Sequence, residues 1–186
     1  KNFIVTSHNE TIENTVKINQ KRLIEKKKGL ARCKPGSKNR YKMKLKIQRM
    51  YQKIRNARKH RIHDITKKLI EENHIIVTEN LDVKGMQKNH YIAKGLNENP
   101  ISEIIRVLKY KANWKNKKLI QIDRYYPSSQ ICSVCNEQNK EVKDLSIRRW
   151  ECPVCHTIHD RDFNASVNIM FEGLRKYMKE VERKVY

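Results

Sequence analysis

The apolar residues in the first part of the chain fall into short runs and one long stripe. Residues 3–6 are a short strand-like run, and residues 11–16 are a second run that can pair with it as a hairpin. After a Pro-Gly break at residues 35–36, apolar side chains recur every three or four positions, which predicts a long amphipathic helix capped by Ser37 or Asn39. The stripe comprises Met43, Ile47, Met50, Ile54, Ile62, Ile65 and Leu69, with Arg58 in register.

The middle of the chain has the pattern of a strand, a helix and a second strand. Residues 74–79 are a β-branched apolar run that ends in an acid, which predicts a buried, parallel strand. Residues 81–99, with Asp82, Gly85, Gly95 and several polar residues, are predicted to form a loop. Pro100 is placed to begin a helix, and residues 118–123 are predicted to form the second strand. Two strands joined through a helix pair in parallel with a right-handed crossover.

The last helix is predicted from an apolar stripe in which positions alternate four and three apart. That stripe comprises Phe163, Val167, Met170, Leu174, Tyr177 and Val181.

Four cysteines precede this helix as two C-x-x-C pairs, Cys132 with Cys135 and Cys152 with Cys155, separated by 16 residues. This is the spacing of a zinc ribbon. Four thiolates complete a closed, tetrahedral structural zinc site. Two disulfides or a redox C-x-x-C are the alternatives, but no signal peptide is recognisable in this sequence and a disulfide scaffold is expected to have more cysteines. Cys33 is expected to be a free thiol.

The net charge of +22 on 186 residues indicates a polyanionic partner, most commonly nucleic acid. No apolar run is long enough to span a bilayer, and no secretory segment is recognisable, so we expect an intracellular protein. Between residues 17 and 70 the only acids are Glu25 and Asp64. We therefore predict that the basic face of the long helix contacts phosphates, although a merely solvated face is the alternative. The residues predicted to contact nucleic acid are Lys38, Arg40, Lys42, Lys46, Arg49, Lys53, Arg55 and Arg58.

Three acids stand at the ends of predicted elements. Glu79 ends the first strand of the central unit, and Asp160 and Asp162 begin the last helix. Carboxylates that converge can hold the divalent cations that clamp the reacting oxygens of a phosphodiester cleavage, and Mg²⁺ suits such a site. An ordinary helix N-cap at Asp160 or Asp162, or a surface acid at Glu79, is the alternative. Spacing alone does not decide between cation ligands and ordinary capping or surface acids.

Five motifs occur in the order found in one known family, and together they resemble the C-terminal half of the transposon-encoded TnpB proteins. These proteins are RNA-guided nucleases related to type V CRISPR effectors. The motifs are Lys34-Pro-Gly-Ser-Lys-Asn-Arg40, Val77-Thr-Glu79-Asn-Leu81, Asp123-Arg-Tyr-Tyr-Pro-Ser-Ser129, Cys132-Ser-Val-Cys135 and His159-Asp-Arg-Asp-Phe-Asn-Ala165.

The resemblance implies an α/β protein with an RNase H-like (RuvC-type) mixed sheet and flanking helices at residues 1–127. A basic helical insertion is expected at about 17–72, a zinc ribbon at 128–160, and a final helix of the nuclease core at 161–186. By the same resemblance, Glu79 is the second catalytic carboxylate and Asp162 the third, with Asp160 a close rival.

Cofactors and partners also follow from the resemblance. The four ribbon cysteines are expected to bind zinc, and Glu79 and Asp162 to bind Mg²⁺ or Mn²⁺. Guide RNA and target DNA are the expected partners, in the prokaryotic cytoplasm at the nucleoid. The family has Gly after each cysteine knuckle, where this chain has Asn136 and His156.

The resemblance also implies that one strand is missing. In the family, the first catalytic Asp lies on a central strand just before the segment that matches the start of this chain. Without that strand and the N-terminal part of the same protein, we expect an incomplete sheet and no cleavage by this chain alone. A non-catalytic zinc-ribbon module that binds DNA or RNA is the alternative function, and a DDE-type transposase fits the ribbon poorly.

Overall fold

The computed structural model describes residues 4–13, 20–88, 90 and 101–185, which form a mixed α/β protein. No described helix is long and apolar enough to cross a membrane. The strands are β1 (Ile4–Val5), β2 (Thr11–Ile12), β3 (Ile75–Thr78), β4 (Lys118–Gln121), β5 (Arg149–Glu151) and β6 (Ile158–Asp160). The helices are α1 (Gln20–Ala31), α2 (Lys38–Glu72), α3 (Val83–Gln87), α4 (Ile101–Trp114) and α5 (Arg161–Val185), with a 3₁₀ turn at Lys140–Lys143.

The described residues form two compact units, one from residues 15–65 and the other from residues 1–14 and 66–186. In the helical unit, α1 and α2 are joined by a turn that Arg40 holds closed. Its Nη1 donates to the carbonyls of Leu30 (3.1 Å) and Cys33 (3.2 Å). The hydroxyl of Ser37 accepts from the backbone N–H of Arg40 at 3.2 Å, so Ser37 is the N-cap of α2.

The apolar stripe predicted for α2 is confirmed. Ile47, Ile62 and Ile65 are buried, at the three- and four-residue spacing of one helix face. Lysines and arginines occupy ten of the 21 exposed positions of α2. Lys27 of α1 lies 5.4 Å from the ring centroid of Tyr51.

The strands of the larger unit pair as three separate two-stranded sheets, whereas the expected fold has one mixed sheet. β1 and β2 form the predicted antiparallel hairpin, in which Ile4 lies opposite Ile12. β3 and β4 are parallel, as predicted, from Ile75 opposite Lys118 to Thr78 opposite Gln121. Among the described residues, therefore, β1 and β3 each have only one hydrogen-bonded neighbour.

Two details of the central unit differ from the sequence predictions. β3 is half-buried and not buried, because among the described residues only one of its edges is paired. The predicted loop contains the short helix α3, in which Asp82 Oδ1 accepts from the Gly85 N–H at 3.0 Å. No residue of α3 is buried, so no apolar period indicated it. Residues 91–100, including Pro100, lie outside the described residues.

The core of the larger unit lies between helices and the β3–β4 pair. α4 buries Ile104, Val107, Leu108 and Ala112, and β4 and the residue after it bury Ile120 and Ile122. Helix α5 approaches β3 so closely at Gly173 that an added Cβ would overlap the Val77 side chain. This contact fixes the distance between the helix and the strand.

Gly173→Ala is expected to destabilise the chain by about 1–3 kcal/mol, because the extra methyl group overpacks the contact with Val77. Gly29→Ala in α1 is the matched control, since its nearest neighbour, Met43 Cε, lies 3.5 Å from the added Cβ. Chemical denaturation should show the control more stable by about 0.5–1 kcal/mol. A Gly173→Ala chain as stable as the wild type would contradict the close approach.

Candidate metal centre and carboxylate site

The four predicted cysteine ligands come together. Their sulfur atoms all lie within 4.8 Å of one another, with 3.6 Å between Cys132 and Cys155 and 3.5 Å between Cys135 and Cys152. A disulfide would need about 2.05 Å. A tetrahedral zinc ion with Zn–S bonds of about 2.3 Å separates its sulfurs by about 3.8 Å. The cluster therefore has the donor set and spacing to hold a metal such as zinc.

Each cysteine pair sits in a turn that points both sulfurs inward. In the first, the Cys132 N–H donates to the Glu137 carbonyl (2.8 Å), and the Asn136 N–H donates to the Cys132 carbonyl (2.9 Å). The second turn, at Cys152, repeats both bonds. Asn136 (φ 65°) and His156 (φ 57°) have the left-handed backbone that glycine adopts most readily.

A small apolar core supports the cluster. Cys132, Cys152, Val142 and Trp150 are buried together, and the ring of His159 lies on Trp150 with 4.8 Å between centroids. His159 Nε2 is 3.1 Å from the Cys132 sulfur, and burial lowers the pKa of His159. Hydrogen bonding by Thr157 lowers the pKa of Cys155 to about 6, which favours a thiolate at that position.

The first turn of α5 follows directly from the metal cluster through β6. Asp160 Oδ1 accepts from the backbone N–H groups of Asp162 (3.0 Å) and Phe163 (2.9 Å), so Asp160 is the N-cap of α5. Its neighbour Arg161 is buried and donates from Nη1 to the Asp144 carbonyl at 2.7 Å. These two residues anchor the start of the helix.

Two buried asparagines tie α5 to the first cysteine turn. Asn164 Oδ1 accepts from the Ser133 N–H (3.0 Å), and its Nδ2 donates to the Ile131 carbonyl (2.7 Å). Asn168 Nδ2 donates to the carbonyls of Ser128 (2.8 Å) and Ile131 (2.7 Å). Because Asn164 and Asn168 are almost completely buried, these bonds are shielded from water.

The same loop reaches the carboxylate at the end of β3. The hydroxyl of Ser128 donates to Glu79 Oε1 at 3.0 Å, so the asparagine contacts and the Glu79 contact meet at one serine. A cavity of about 820 Å³ opens here, with apolar walls from β1, β3, α4 and α5. Glu79 and Asp162 both line it, and Asp160 does not. Arg148 lies 3.7 Å from Asp162, as a half-exposed ion pair that contributes little stability.

These two carboxylates fit a divalent cation only in part. Mg²⁺ is commonly held by one or two carboxylates with waters and phosphates as its other ligands. A site for two metal ions needs more carboxylate ligands than these two. Among the described residues, the four cysteines are the only cluster of three or more His, Cys, Asp or Glu ligands.

The predicted phosphate-binding residues of α2 are mostly exposed. Arg40 and Arg58 are half-buried, and Arg40 already uses Nη1 in the α1–α2 turn. The exposed members are Lys38, Lys42, Lys46, Arg49, Lys53 and Arg55. Their binding to nucleic acid stays a prediction.

Sequence reasoning missed the residues that support the site. Ser128, Arg161, Asn164 and Asn168 were not chosen, because polar side chains are ordinarily exposed and give no apolar period. Two signals were available: Ser128, Arg161 and Asn164 lie inside the family motifs, and Asn168 follows Asn164 by four residues, which places both on one helix face.

Two protein-family descriptions match the chain. Residues 1–90 match the OrfB/IS605 family described as "Probable transposase", and residues 102–169 match "Cas12f1-like, TNB domain". Both point to one class of protein, related to transposases and to Cas12f1. The chain belongs to the TnpB family, as its motifs predicted.

Named relatives agree with this assignment. A "Putative RNA-guided DNA endonuclease" of Streptomyces pristinaespiralis is 34% identical over 153 residues, covering 82% of this chain and 38% of that protein. The "Putative RNA-guided DNA endonuclease InsQ" of Escherichia coli K12 is 31% identical over 175 residues, covering 86% and 43%. This chain thus spans less than half the length of these relatives.

A solved structure supports the fold. The Cas12f1 protein in the cryo-EM structure of the Cas12f1–sgRNA–target DNA complex matches with a TM-score of 0.56 and 18% identity. The match covers 86% of this chain and 43% of that one. The likeness concerns the fold.

Asn168→Ala is expected to lower the free energy of unfolding by about 1–3 kcal/mol, because two buried carbonyls lose their donor. Asn113→Ala, at an exposed position of α4, is the control and should change stability by less than about 0.5 kcal/mol. Thermal or urea unfolding measures both. Equal effects would mean that the amide contacts do not hold the Ser128 loop.

Proposed function

We propose that the chain is the nuclease part of an RNA-guided DNA endonuclease, with an RNase H-like (RuvC-type) core. The observation that carries the proposal is that Glu79 and Asp162, the two family carboxylates, line the same cavity. The names of the relatives support an RNA-guided DNA endonuclease in this family. The matched Cas12f1 structure is a complex with an sgRNA and a target DNA, which supports the same two partners for this chain.

Within this proposal, Glu79 and Asp162 would hold Mg²⁺ or Mn²⁺, which would supply positive charge to offset the phosphate and lower the pKa of a bound water for phosphodiester hydrolysis. Ser128 holds Glu79 in place through its hydroxyl. We assign Asp160 as a capping residue and not as a ligand. Its Oδ1 accepts hydrogen bonds from two backbone N–H groups, and both belong to the first turn of α5. The choice between the two aspartates thus falls on Asp162.

Zinc is the metal proposed for the four cysteines, in a zinc ribbon that includes the β5–β6 hairpin. The sulfur spacing and an all-thiolate donor set are typical of closed structural zinc sites. The role of the ribbon is to set the position of α5, whose first residue follows β6 directly. In this proposal zinc would affect the carboxylate site only by fixing the position of α5, and it would not contact the carboxylates.

The basic face of α2 is proposed to contact the backbone of the guide–target duplex. Lys38, Lys42, Lys46, Arg49 and Lys53 are exposed and follow one another at spacings of four and three, which aligns them on one helix face. The near absence of acids leaves these charges available for phosphate. Sequence specificity then comes from base pairing, as in related guided nucleases.

We also propose that a strand from the preceding part of the family protein occupies this cavity. β1 and β3 each leave one edge unpaired among the described residues, and both line the cavity. A strand between them would pair both edges and join the two sheets. In the family that strand carries the first catalytic Asp, so this chain alone is expected not to cleave DNA.

Purified chain should contain one zinc ion per molecule by elemental analysis. Cys152→Ser should abolish stoichiometric zinc, because the three remaining thiolates no longer close the tetrahedron. Cys33→Ser is the matched control and should keep one ion. Retention of zinc by Cys152→Ser would exclude the four-thiolate site.

Mn²⁺ titration followed by electron paramagnetic resonance tests the carboxylate assignment. Glu79→Gln and Asp162→Asn should each weaken Mn²⁺ binding at least tenfold, because each removes a charged oxygen ligand. Asp160→Asn is the control: it keeps a capping side chain and should leave binding unchanged. Loss of binding only in Asp160→Asn would reverse the assignment.

A cleavage assay separates the nuclease from the non-catalytic module. The chain alone should show no Mg²⁺-dependent cleavage of DNA, with or without guide RNA, since one ligand-bearing strand is expected to be absent. If the chain alone cuts DNA robustly and Glu79→Gln abolishes the cutting, the expectation that its catalytic site is incomplete is wrong. Mn²⁺ binding that none of the three carboxylate variants alters would favour the non-catalytic module.

A further inference from the structure

A basic and aromatic surface lies at the end of the β3–β4 pair opposite the carboxylates. Lys118 begins β4 and pairs with Ile75, the first residue of β3, whereas Glu79 follows the last residue of β3. Helix α4 ends shortly before Lys118 in the chain, and a short turn joins them. The surface is therefore separate from the proposed catalytic site.

Trp114, the last residue of α4, is the most unusual feature of this surface. Its side chain is 77% exposed, although burying a tryptophan ordinarily contributes strongly to stability. Tyr110, one helical turn earlier, contacts it edge to face with 4.8 Å between ring centroids. Tyr110 thus restrains the indole and leaves much of it open to solvent.

Most charged side chains near these rings are basic. A depression of about 600 Å³ is lined by Tyr110, by Asn113 next to Trp114, and by four basic residues, with no acid among the described residues of its wall. The basic residues are Arg106, Lys109, Lys117 and Lys118. Residues 104–122 contain six lysines and arginines and no aspartate or glutamate. Glu103 neutralises Arg106 through a bidentate pair, and Lys117 contacts His74 Nδ1 at 3.2 Å. Lys109 and Lys118 are exposed.

We propose that this surface binds an unpaired stretch of nucleic acid, with one base stacked on Trp114 and the adjacent phosphates on Lys109, Lys117 and Lys118. A solvent-facing indole among cations is the combination that binds single strands, because every base has a face that can stack. In a duplex the bases are already stacked on one another, so Trp114 selects for unpaired segments. The proposal does not depend on the nuclease assignment.

The two tryptophans of the chain provide a direct test, because Trp150 is only 7% exposed. Titration with 12-nucleotide oligothymidylate should quench tryptophan emission in a saturable way. A blunt 12-base-pair duplex should not. Trp114→Phe should abolish the quenching, because the remaining Trp150 is buried. Quenching that persists in Trp114→Phe, or that the duplex produces equally, would overturn the proposal.

Affinity is measured separately, by anisotropy of a labelled oligothymidylate. The background carries Lys42→Ser, Lys46→Ser and Arg49→Ser, which removes the proposed duplex contacts on α2. In this background Trp114→Ala should weaken binding about 5- to 100-fold, whereas Trp114→Phe retains a stacking ring and loses less. Phe171→Ala is the matched control, since Phe171 is 56% exposed on α5 beside Glu172, and it should change nothing.

Two further measurements test whether the surface contacts phosphates and whether a second copy of the chain covers it. Replacing Lys109, Lys117 and Lys118 by alanine should reduce the slope of log affinity against log salt by about 2, since each phosphate contact on a single strand contributes about 0.7. An unchanged slope would exclude phosphate contact here. A shift of Trp114 emission with protein concentration, in the absence of oligonucleotide, would show that a second copy covers the surface and would also overturn the proposal.

Discussion

The arrangement of the carboxylate site depends on four thiols that gather at one point. The two cysteine turns are separated by 16 residues and share only a small core, in which Val142 and Trp150 are the main apolar partners. A metal at the sulfurs would cross-link segments that so small a core cannot hold alone. α5 begins immediately after β6, so any motion of the cluster is transmitted to Asp162 within a few residues.

Hydrogen bonds carry this constraint from the cluster to β3. Asn164 and Asn168 fix α5 to the backbone around Ile131, and Asn168 also holds Ser128, whose hydroxyl meets Glu79. Farther along the helix, Gly173 packs against Val77 of the same strand. α5 and the region of β3 are therefore linked in two ways, by a polar connection through the Ser128 loop to Glu79 and by the direct packing of Gly173 on Val77.

The sequence predicted the parts of this structure that repeat or that have fixed spacing. The period of α2, the parallel β3–β4 pair and the cysteine cluster all follow from local pattern, and the motifs indicated the family before any comparison. Buried polar contacts were not predictable in this way. Asn164 and Asn168 are the most buried side chains of α5, whereas Val181 of the predicted apolar stripe is 43% exposed. Helix α3 depends on a cap at Asp82 with nothing buried, so no period signals it. Sequence spacing could not distinguish Asp160 from Asp162, because only two residues separate a capping role from a cavity-facing one.

Hydrogen–deuterium exchange with and without zinc tests the central claim that the thiol cluster positions the start of α5. The informative amides are those of Ser133, Asp162 and Phe163, which are bonded to Asn164 and Asp160 side chains. The account predicts that these amides are protected in the zinc-loaded chain and exchange much faster after chelation under reducing conditions, while amides of α1 keep their rates. Unchanged protection at all three positions, in a chain shown to be free of metal and disulfides, would contradict it.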